Sequence, residues 1–254
     1  PYASEHDGLM HACGHDAHVA IGLGVATLMA EHPESWRGTL KVIFQPGEEG
    51  MNGAEIMVEE GVLENPRPDA VLALHVWNTR PVGTFGIAAG PVMAAAEAWK
   101  AEIVGKGGHA ALPERTVDPI VTAAMIVTNL QTVVSRNVSP METAVVTVGQ
   151  ILSGDAFNVI PERAEMQGTV RTFDPDVRAT VLRRMHKIFA GTAEMMEAEA
   201  TLDFSGLTPA VVNDEAVTGL VRDAARDLFG DEGIEEERTM GSEDAAFFLQ
   251  EVPG

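Results

Sequence analysis

Three short stretches of this sequence are dense in side chains that bind metal ions. Residues 10–18 read MHACGHDAH and contain three histidines, one aspartate and the only cysteine of the chain. Residues 44–50 read FQPGEEG, and residues 72–77 read LALHVW. Thiolate, imidazole and carboxylate groups bind divalent metals of borderline and hard character. Because the chain has only 8 histidines in 254 residues, three within residues 10–18 is an unusual density, and we expect the three stretches to form a metal site.

Each stretch also has an ordinary structural explanation. Cysteine is among the residues most often buried, so Cys13 beside His15 is compatible with a buried thiol next to a capping histidine. Glu48 and Glu49 are compatible with a solvated acidic pair at a helix start, and His75 with the polar end of a strand. Adjacent carboxylates can also divide the work of a metal site, since one binds the ion and the other accepts a proton from water. The joint occurrence of all three stretches favours the metal site.

The segments around these stretches predict alternating helices and strands. Residues 16–32 predict a helix without a clean amphipathic stripe, which is typical of a largely buried helix. Residues 38–44 and 70–74 predict short buried strands, and residues 54–60 predict a helix between them. This alternation is typical of an α/β domain with a mainly parallel sheet.

The predicted topology explains how distant residues could meet. Ligands of parallel sheets bind beyond the carboxyl ends of the strands. Glu48 and Glu49 follow the first predicted strand and His75 follows the second. Residues 10–18 lead into the first helix, and Gly14 permits tight curvature between Cys13 and His15. We therefore expect these side chains to lie close together.

From about residue 91 the pattern indicates a second domain with alternating strands and two helices that begin at Asp-Pro pairs. The strands are expected at residues 97–104, 143–152, 162–173 and 198–204, and the helices at 118–137 and 174–196. This β-α-β-β-α-β order matches the ferredoxin-like α+β arrangement. We predict that residues 93–205 are inserted into a catalytic domain made of residues 1–92 and 206–254. The latter segment is expected to contain a helix at 213–229 and a solvated loop at 231–237.

Composition narrows the class of protein. A chain of 254 residues that is 45% hydrophobic and 22% charged is that of an ordinary globular protein. Its net charge of −21 argues against nucleic acid or an anionic membrane as a partner. A single cysteine excludes an internal disulfide. No apolar run reaches the length of a membrane span, and we expect a cytoplasmic location.

The three stretches, with five further segments in the same order, resemble the motifs of the M20 metallopeptidases. The matching segments are residues 10–16, 45–50, 74–77, 107–111, 118–120, 158–161, 168–171 and 241–244. The resemblance is to the amidohydrolase branch, which contains hippurate hydrolases, N-acyl-amino-acid amidohydrolases and indole-acetyl-amino-acid hydrolases. It implies an enzyme that hydrolyses the amide bond of N-acyl amino acids, with acetyl, benzoyl or similar acyl groups.

The resemblance also implies a site with two divalent metal ions. Cys13, His15, Glu49 and His75 match the metal ligands of the family, and Glu48 matches its general base. Sulfur and nitrogen ligands permit zinc, and mixed sites with carboxylates also take manganese, cobalt or nickel. Zinc and manganese are the metals we expect first.

In the family the inserted domain is a dimerisation lid, which implies a homodimer. His109 matches a histidine offered to the active site of a neighbouring subunit, where it can stabilise the tetrahedral oxyanion. Asn158 and Arg171 match positions that bind the carboxylate of the substrate, for which a planar guanidinium is suited. Without the resemblance, His109 is compatible with a simple turn residue and Arg171 with a salt bridge on a strand surface.

Two departures from the family pattern, and two other functions, stay open at this point. The family has an N-terminal strand before the part that this sequence matches, and a ligand histidine after the segment that matches residues 241–244. This sequence contains neither of them. We therefore expect a fragment with one incomplete metal position. An M20-type dipeptidase or carboxypeptidase is one alternative, against which the Cys-Gly-His pattern counts. A non-catalytic metal- or ligand-binding relative is the other, and it would not need Glu48.

Overall fold

The computed structural model describes residues 3–254, so Pro1 and Tyr2 of the predicted catalytic domain lie outside the described residues. The helices are α1 (His15–Glu31), α2 (Gly53–Glu59), α3 (Pro119–Asn137), α4 (Pro175–Met195), α5 (Glu215–Phe229) and α6 (Ala246–Glu251). The strands are β1 (Phe85–Gly86), β2 (Gly90–Met93), β3 (Ala95–Val104), β4 (Gly108–His109), β5 (Ala144–Leu152), β6 (Val159–Ile160), β7 (Arg163–Thr172), β8 (Glu199–Thr208), β9 (Val211–Asn213) and β10 (Ile234–Glu235). Within this range, no helix combines the length and apolar content needed to cross a bilayer.

The chain divides into two compact units. Unit 1 contains the segment that ends at Gly90, together with Asn213–Glu237 and Phe247–Gly254. Unit 2 contains Pro91–Val212 and Arg238–Ala246.

Unit 2 is built on a four-stranded antiparallel sheet with the order β5-β7-β3-β8. Helices α3 and α4 lie between its strands in the chain, which confirms the predicted β-α-β-β-α-β order. Both helices begin as the Asp-Pro pairs predict. Asp118 accepts hydrogen bonds from the backbone N–H groups of Ile120 and Val121, and Asp174 from those of Asp176 and Val177. Such N-caps satisfy donors that the first helical turn leaves unpaired.

The core of unit 2 lies between this sheet and its helices. Trp99 on β3 is fully buried and meets Phe189 on α4 edge to face, with ring centroids 5.8 Å apart. Ile126 and Leu130 on α3 are buried in the same cluster. Glu97 is buried too, and the Arg178 guanidinium donates to both of its carboxylate oxygens, so this buried charge is neutralised.

Unit 1 corrects the strand predictions. Residues 38–44 and 70–74 form no strand, so the predicted parallel sheet is absent from the part of the chain that the structure describes. Leu72 and Leu74 are 68% and 56% exposed rather than buried. An apolar run indicates an extended backbone, but a strand also needs a neighbour with which to exchange ladder hydrogen bonds. The fold is therefore a mixed α/β arrangement with an antiparallel main sheet.

The position of helix α1 agrees with the prediction, but its exposure does not. Its bounds, His15–Glu31, lie within one residue of the predicted helix at 16–32, but none of its residues is buried. Leu23 and Leu28 are 56% and 62% exposed. A helix that is apolar all round is typical of a buried position, so the prediction of a largely buried helix is wrong: the described part of unit 1 covers none of its residues fully.

Short polar contacts connect the segments of unit 1. The Lys41 ammonium donates to the carbonyls of Val62, Glu64 and Pro66 at 3.0, 2.8 and 2.6 Å, which joins the predicted strand segment to the chain after α2. β1 pairs in parallel with β10, with Phe85 opposite Ile234. Part of the predicted loop at 231–237 is therefore a short strand.

Candidate metal centre

The five side chains predicted as ligands and base lie together in unit 1. Cys13, His15 and His75 each offer one ligand atom, and these atoms lie within 4.8 Å of one another. The same holds for His15, Glu48 and Glu49, so His15 belongs to both groups. The Cys13 sulfur is 3.4 Å from Nε2 of His75, and Nε2 of His15 is 3.8 Å from Oε2 of Glu48. Two ligand groups that share a residue are compatible with two metal ions bound near each other.

Gly14 determines how Cys13 and His15 face the same point. It is the N-cap residue of α1 and has φ +79°, in the left-handed region where L side chains are strained. A Cβ at this position would also lie 2.5 Å from Cγ2 of Val76, which is closer than side-chain contacts allow. The glycine therefore permits both the sharp turn and the close approach of the segment that carries His75.

A close contact between two backbone segments also positions Glu48 and Glu49. They lie on a turn in which the Met51 N–H donates to the Gly47 carbonyl at 3.2 Å. A Cβ on Gly53, the first residue of α2, would lie 1.6 Å from the carbonyl oxygen of Pro46. The start of α2 is thus in contact with the backbone that leads into Glu48, and a larger residue at position 53 would displace the turn.

The ring nitrogens of His75 have distinct roles. Nδ1 lies 2.6 Å from the Val76 carbonyl oxygen. Because a carbonyl only accepts, Nδ1 carries the hydrogen and Nε2 presents its lone pair toward Cys13. A hydrogen bond at the far nitrogen fixes the tautomer and ring orientation of a metal-binding histidine.

His18 is a further contributor, which the sequence motifs did not identify as a site residue. Its Nε2 accepts a hydrogen bond from the Val76 N–H at 3.0 Å, so it holds the backbone next to His75. Burial lowers the pKa of His18, and the neighbouring His75 and His15 lower it further, which favours the neutral ring that can accept. The only sequence signal was the spacing of three residues from His15, which places both on one side of α1.

The donor set fits a divalent metal ion. A thiolate, imidazole nitrogens and carboxylate oxygens are the ligands of zinc and of related first-row metals. Cys13 is exposed and the side chain of Glu48 is 23% exposed, so solvent reaches the cluster. The assignment of each residue as ligand or base stays a prediction.

The three remaining predicted site residues lie in unit 2. His109 is on β4, which pairs with β6, and the Ala110 N–H donates to the Asn158 carbonyl at 3.1 Å. The Ala111 N–H donates to Nδ1 of His109 at 3.0 Å, so in the neutral ring Nε2 carries the hydrogen and is a donor. His109 and Asn158 are thus neighbours through their backbones, and both are exposed.

Arg171 is on β7 and is half-buried. Its Nη1 donates to the Ser242 hydroxyl at 2.8 Å. In this hydrogen bond the guanidinium of Arg171 thus binds a hydroxyl and not a carboxylate.

Comparison with known proteins supports the family resemblance that the motifs indicate. The family model described as peptidase family M20/M25/M40 matches residues 1–254. N-acetyl-L-cysteine deacetylase of Bacillus subtilis is 44% identical over the whole chain, which covers 60% of that protein. IAA-amino acid hydrolase ILR1-like 4 of Arabidopsis thaliana is 41% identical over the whole chain, which covers 58% of it.

A solved structure gives the same result. The YXEP protein of Bacillus subtilis, described as a dinuclear metal binding peptidase from the M20 family, superposes with a TM-score of 0.83 at 36% identity, over 100% of this chain and 65% of that one. The chain therefore spans about 60% of the length of the curated relatives it matches. Since the family model matches residues 1–254, the chain belongs to peptidase family M20/M25/M40.

Proposed function

We propose that the protein containing this chain hydrolyses the amide bond of N-acyl amino acids with two divalent metal ions and a glutamate base. The observation that carries the proposal is the pair of overlapping ligand groups that share His15. Two relatives support the choice of bond. One is named for removing an acetyl group from N-acetyl-L-cysteine, and the other for hydrolysing an acyl conjugate of an amino acid.

In this proposal Cys13, His15, Glu49 and His75 hold the metal ions, with zinc or manganese expected first. When bound, the ions supply a Lewis acid that polarises the amide carbonyl and lowers the pKa of the attacking water. Glu48 accepts the proton of that water and passes it to the leaving amine. The choice of Glu48 over Glu49 as the base rests on the family motif, since both carboxylates lie within reach of His15.

Three residues of unit 2 have proposed roles toward the substrate. His109 is proposed to stabilise the oxyanion of the tetrahedral intermediate in the site of a partner subunit, and its Nε2–H donor and its exposure support this role. Asn158 and Arg171 are proposed to bind the carboxylate of the substrate. Arg171 already donates to a hydroxyl, a contact that a carboxylate oxygen could replace.

We further propose that residues 93–205 form a dimerisation lid inserted into a catalytic domain of residues 1–92 and 206–254, in a homodimer. The continuous segment Pro91–Val212 in unit 2 supports this division. The proposed partner is a small N-acyl amino acid, and the proposed location is the cytoplasm.

The test is a hydrolysis assay on the intact protein with added metal. We expect N-acetyl- and N-benzoyl-amino acids to be cleaved and dipeptides to react poorly. Glu48→Gln should retain its metal and lose about 10²–10⁴-fold in kcat, the usual contribution of a general base. Glu49→Gln should instead lose metal, and the exposed Glu59→Gln in α2 is the matched control that should change neither.

Three outcomes would contradict the proposal. Preferential cleavage of dipeptides would make the protein a peptidase. Bound metal without hydrolysis of either class would make it a binding relative. Full activity in Glu48→Gln would reverse the roles of the two glutamates.

A further inference from the structure

The metal-site residue His75 is in contact with an aromatic neighbour that has its own anchor. His75 and Trp77 lie two residues apart in a segment without regular secondary structure. The rings of His75 and Trp77 meet edge to face, with centroids 5.1 Å apart and planes at 81°. The orientation of the indole therefore restricts the orientation of the imidazole.

The indole is held by a carboxylate that is 160 residues away in the sequence. Nε1 of Trp77 donates to Oε1 of Glu237 at 3.0 Å. A buried or half-buried indole N–H normally needs such an acceptor. Both residues belong to unit 1, as does His75.

Glu237 is itself fixed from two sides. Nε of Arg80 donates to Oε2 of Glu237, and Nη1 of Arg80 donates to Oε2 of Glu235 at 3.0 Å. The side chain of Arg80 is only 16% exposed, and its hydrogen bond to Glu237 raises its pKa, so it stays charged. A Cβ on Gly86 would lie 2.8 Å from Oε2 of Glu237, which shows how closely the carboxylate packs on β1.

We propose that Glu237 is a positioning residue of the metal centre, which orients the imidazole of His75 through the indole of Trp77. Groups behind a metal ligand commonly change metal affinity 10–100-fold when they are removed, because they fix the ligand's orientation. Here the far nitrogen of His75 donates to the Val76 carbonyl, and the His18 ring meets the imidazole with centroids 4.5 Å apart. Trp77, anchored by Glu237, supplies a further lateral contact. This inference rests on the proposed function, in which His75 holds a metal ion.

The experiment measures Co²⁺ affinity and the Co²⁺ ligand-field absorption spectrum of the intact protein and its variants. Glu237→Ala should raise the Kd for Co²⁺ about tenfold or more and should shift the spectrum. Glu237→Gln keeps a carbonyl acceptor for the indole and should stay within about threefold of wild type. The matched control is Glu235→Ala, which removes a partner of Arg80 without touching Trp77 and should leave the spectrum unchanged.

A double-variant cycle tests the route through the indole. Trp77→Phe should weaken Co²⁺ binding, and Glu237→Ala should add little in that background, because contacts that act through one another are non-additive. Additive effects, or equal effects of Glu237→Ala and Glu235→Ala, would overturn the inference and leave the metal site intact. A wild-type protein that binds no Co²⁺ would instead overturn the proposed function and, with it, this inference. Far-ultraviolet circular dichroism confirms that each variant is folded.

Discussion

The two units of the chain are stabilised in different ways. Unit 2 has a continuous apolar core in which Trp99, Leu130 and Phe189 are almost fully buried between a four-stranded sheet and two helices. Unit 1 exposes large apolar side chains such as Leu23 and Leu72. It buries a smaller set of apolar residues, which includes Leu63, Phe248 and Val252, and its segments are also connected by polar contacts and by close backbone approaches at glycines.

Because of this difference, the main apolar core and the proposed metal ligands lie in different units. The apolar core of unit 2 supplies free energy of folding without any reactive group. The ligand residues of unit 1 come from two turns and a segment without regular secondary structure, where side chains can converge on one point but little apolar area is removed from water. We therefore expect metal binding to contribute to the stability of unit 1 and hardly at all to that of unit 2.

The largest expected effect is the response of unit 1 to metal. At a free metal concentration of 1,000 times Kd, binding stabilises the folded state by about 4 kcal/mol. Hydrogen exchange of the intact protein should show greater amide protection in the first turn of α1 and in residues 44–50 and 71–77 when zinc is added, with no change in β3 and β7. An equal gain of amide protection in both units would contradict the expectation that metal binding stabilises mainly unit 1.

The second-largest effect is expected from a substitution in the core of unit 2. Leu130→Ala removes a side chain that is 1% exposed and should lower the free energy of unfolding of unit 2 by about 3 kcal/mol. Leu220→Ala, on the exposed side of α5 in unit 1, is the matched control and should change it by less than about 0.5 kcal/mol. Urea denaturation measures both. Similar losses in the two variants would show that burial in the core of unit 2 does not determine the effect.

Removal of a polar contact in unit 1 should have a smaller effect. Lys41→Met deletes three hydrogen bonds from an ammonium to backbone carbonyls and should destabilise the segment after α2 by about 2 kcal/mol. Limited proteolysis should show faster cleavage near residues 61–66, whereas the exposed Lys187→Met in unit 2 should leave the cleavage rate unchanged. No change in Lys41→Met would show that this contact does not hold the segment.

The smallest of these effects concerns Gly14. Gly14→Ala forces a side chain into left-handed backbone, at a cost of about 1–2 kcal/mol, and against Val76. We expect roughly tenfold weaker zinc binding, which isothermal titration calorimetry measures. Gly24→Ala within α1 meets nothing within 4 Å and should leave zinc affinity unchanged while it stabilises the helix by about 1 kcal/mol. Equal zinc affinities of the two variants would contradict the role of the turn.

The sequence predicted unit 2 well because its signals are local. Alternation of apolar residues and the Asp118 and Asp174 caps specify strands and helix starts without reference to distant residues. In unit 1, the ligand residues could be predicted to meet from their motif, but the predicted strands at 38–44 and 70–74 are wrong, since a strand depends on a neighbour that the local pattern does not reveal. The contact between Trp77 and Glu237 was beyond reach, because nothing local relates two residues 160 positions apart.

The central claim is that Cys13 and its neighbours form a metal centre, and zinc K-edge X-ray absorption of the zinc-loaded protein tests it most directly. We predict a zinc–sulfur shell at about 2.3 Å that disappears in Cys13→Ser. The chain has one cysteine, so no other thiolate of this chain can supply that shell. A wild-type spectrum with nitrogen and oxygen neighbours alone, or a sulfur shell that survives Cys13→Ser, would contradict the account.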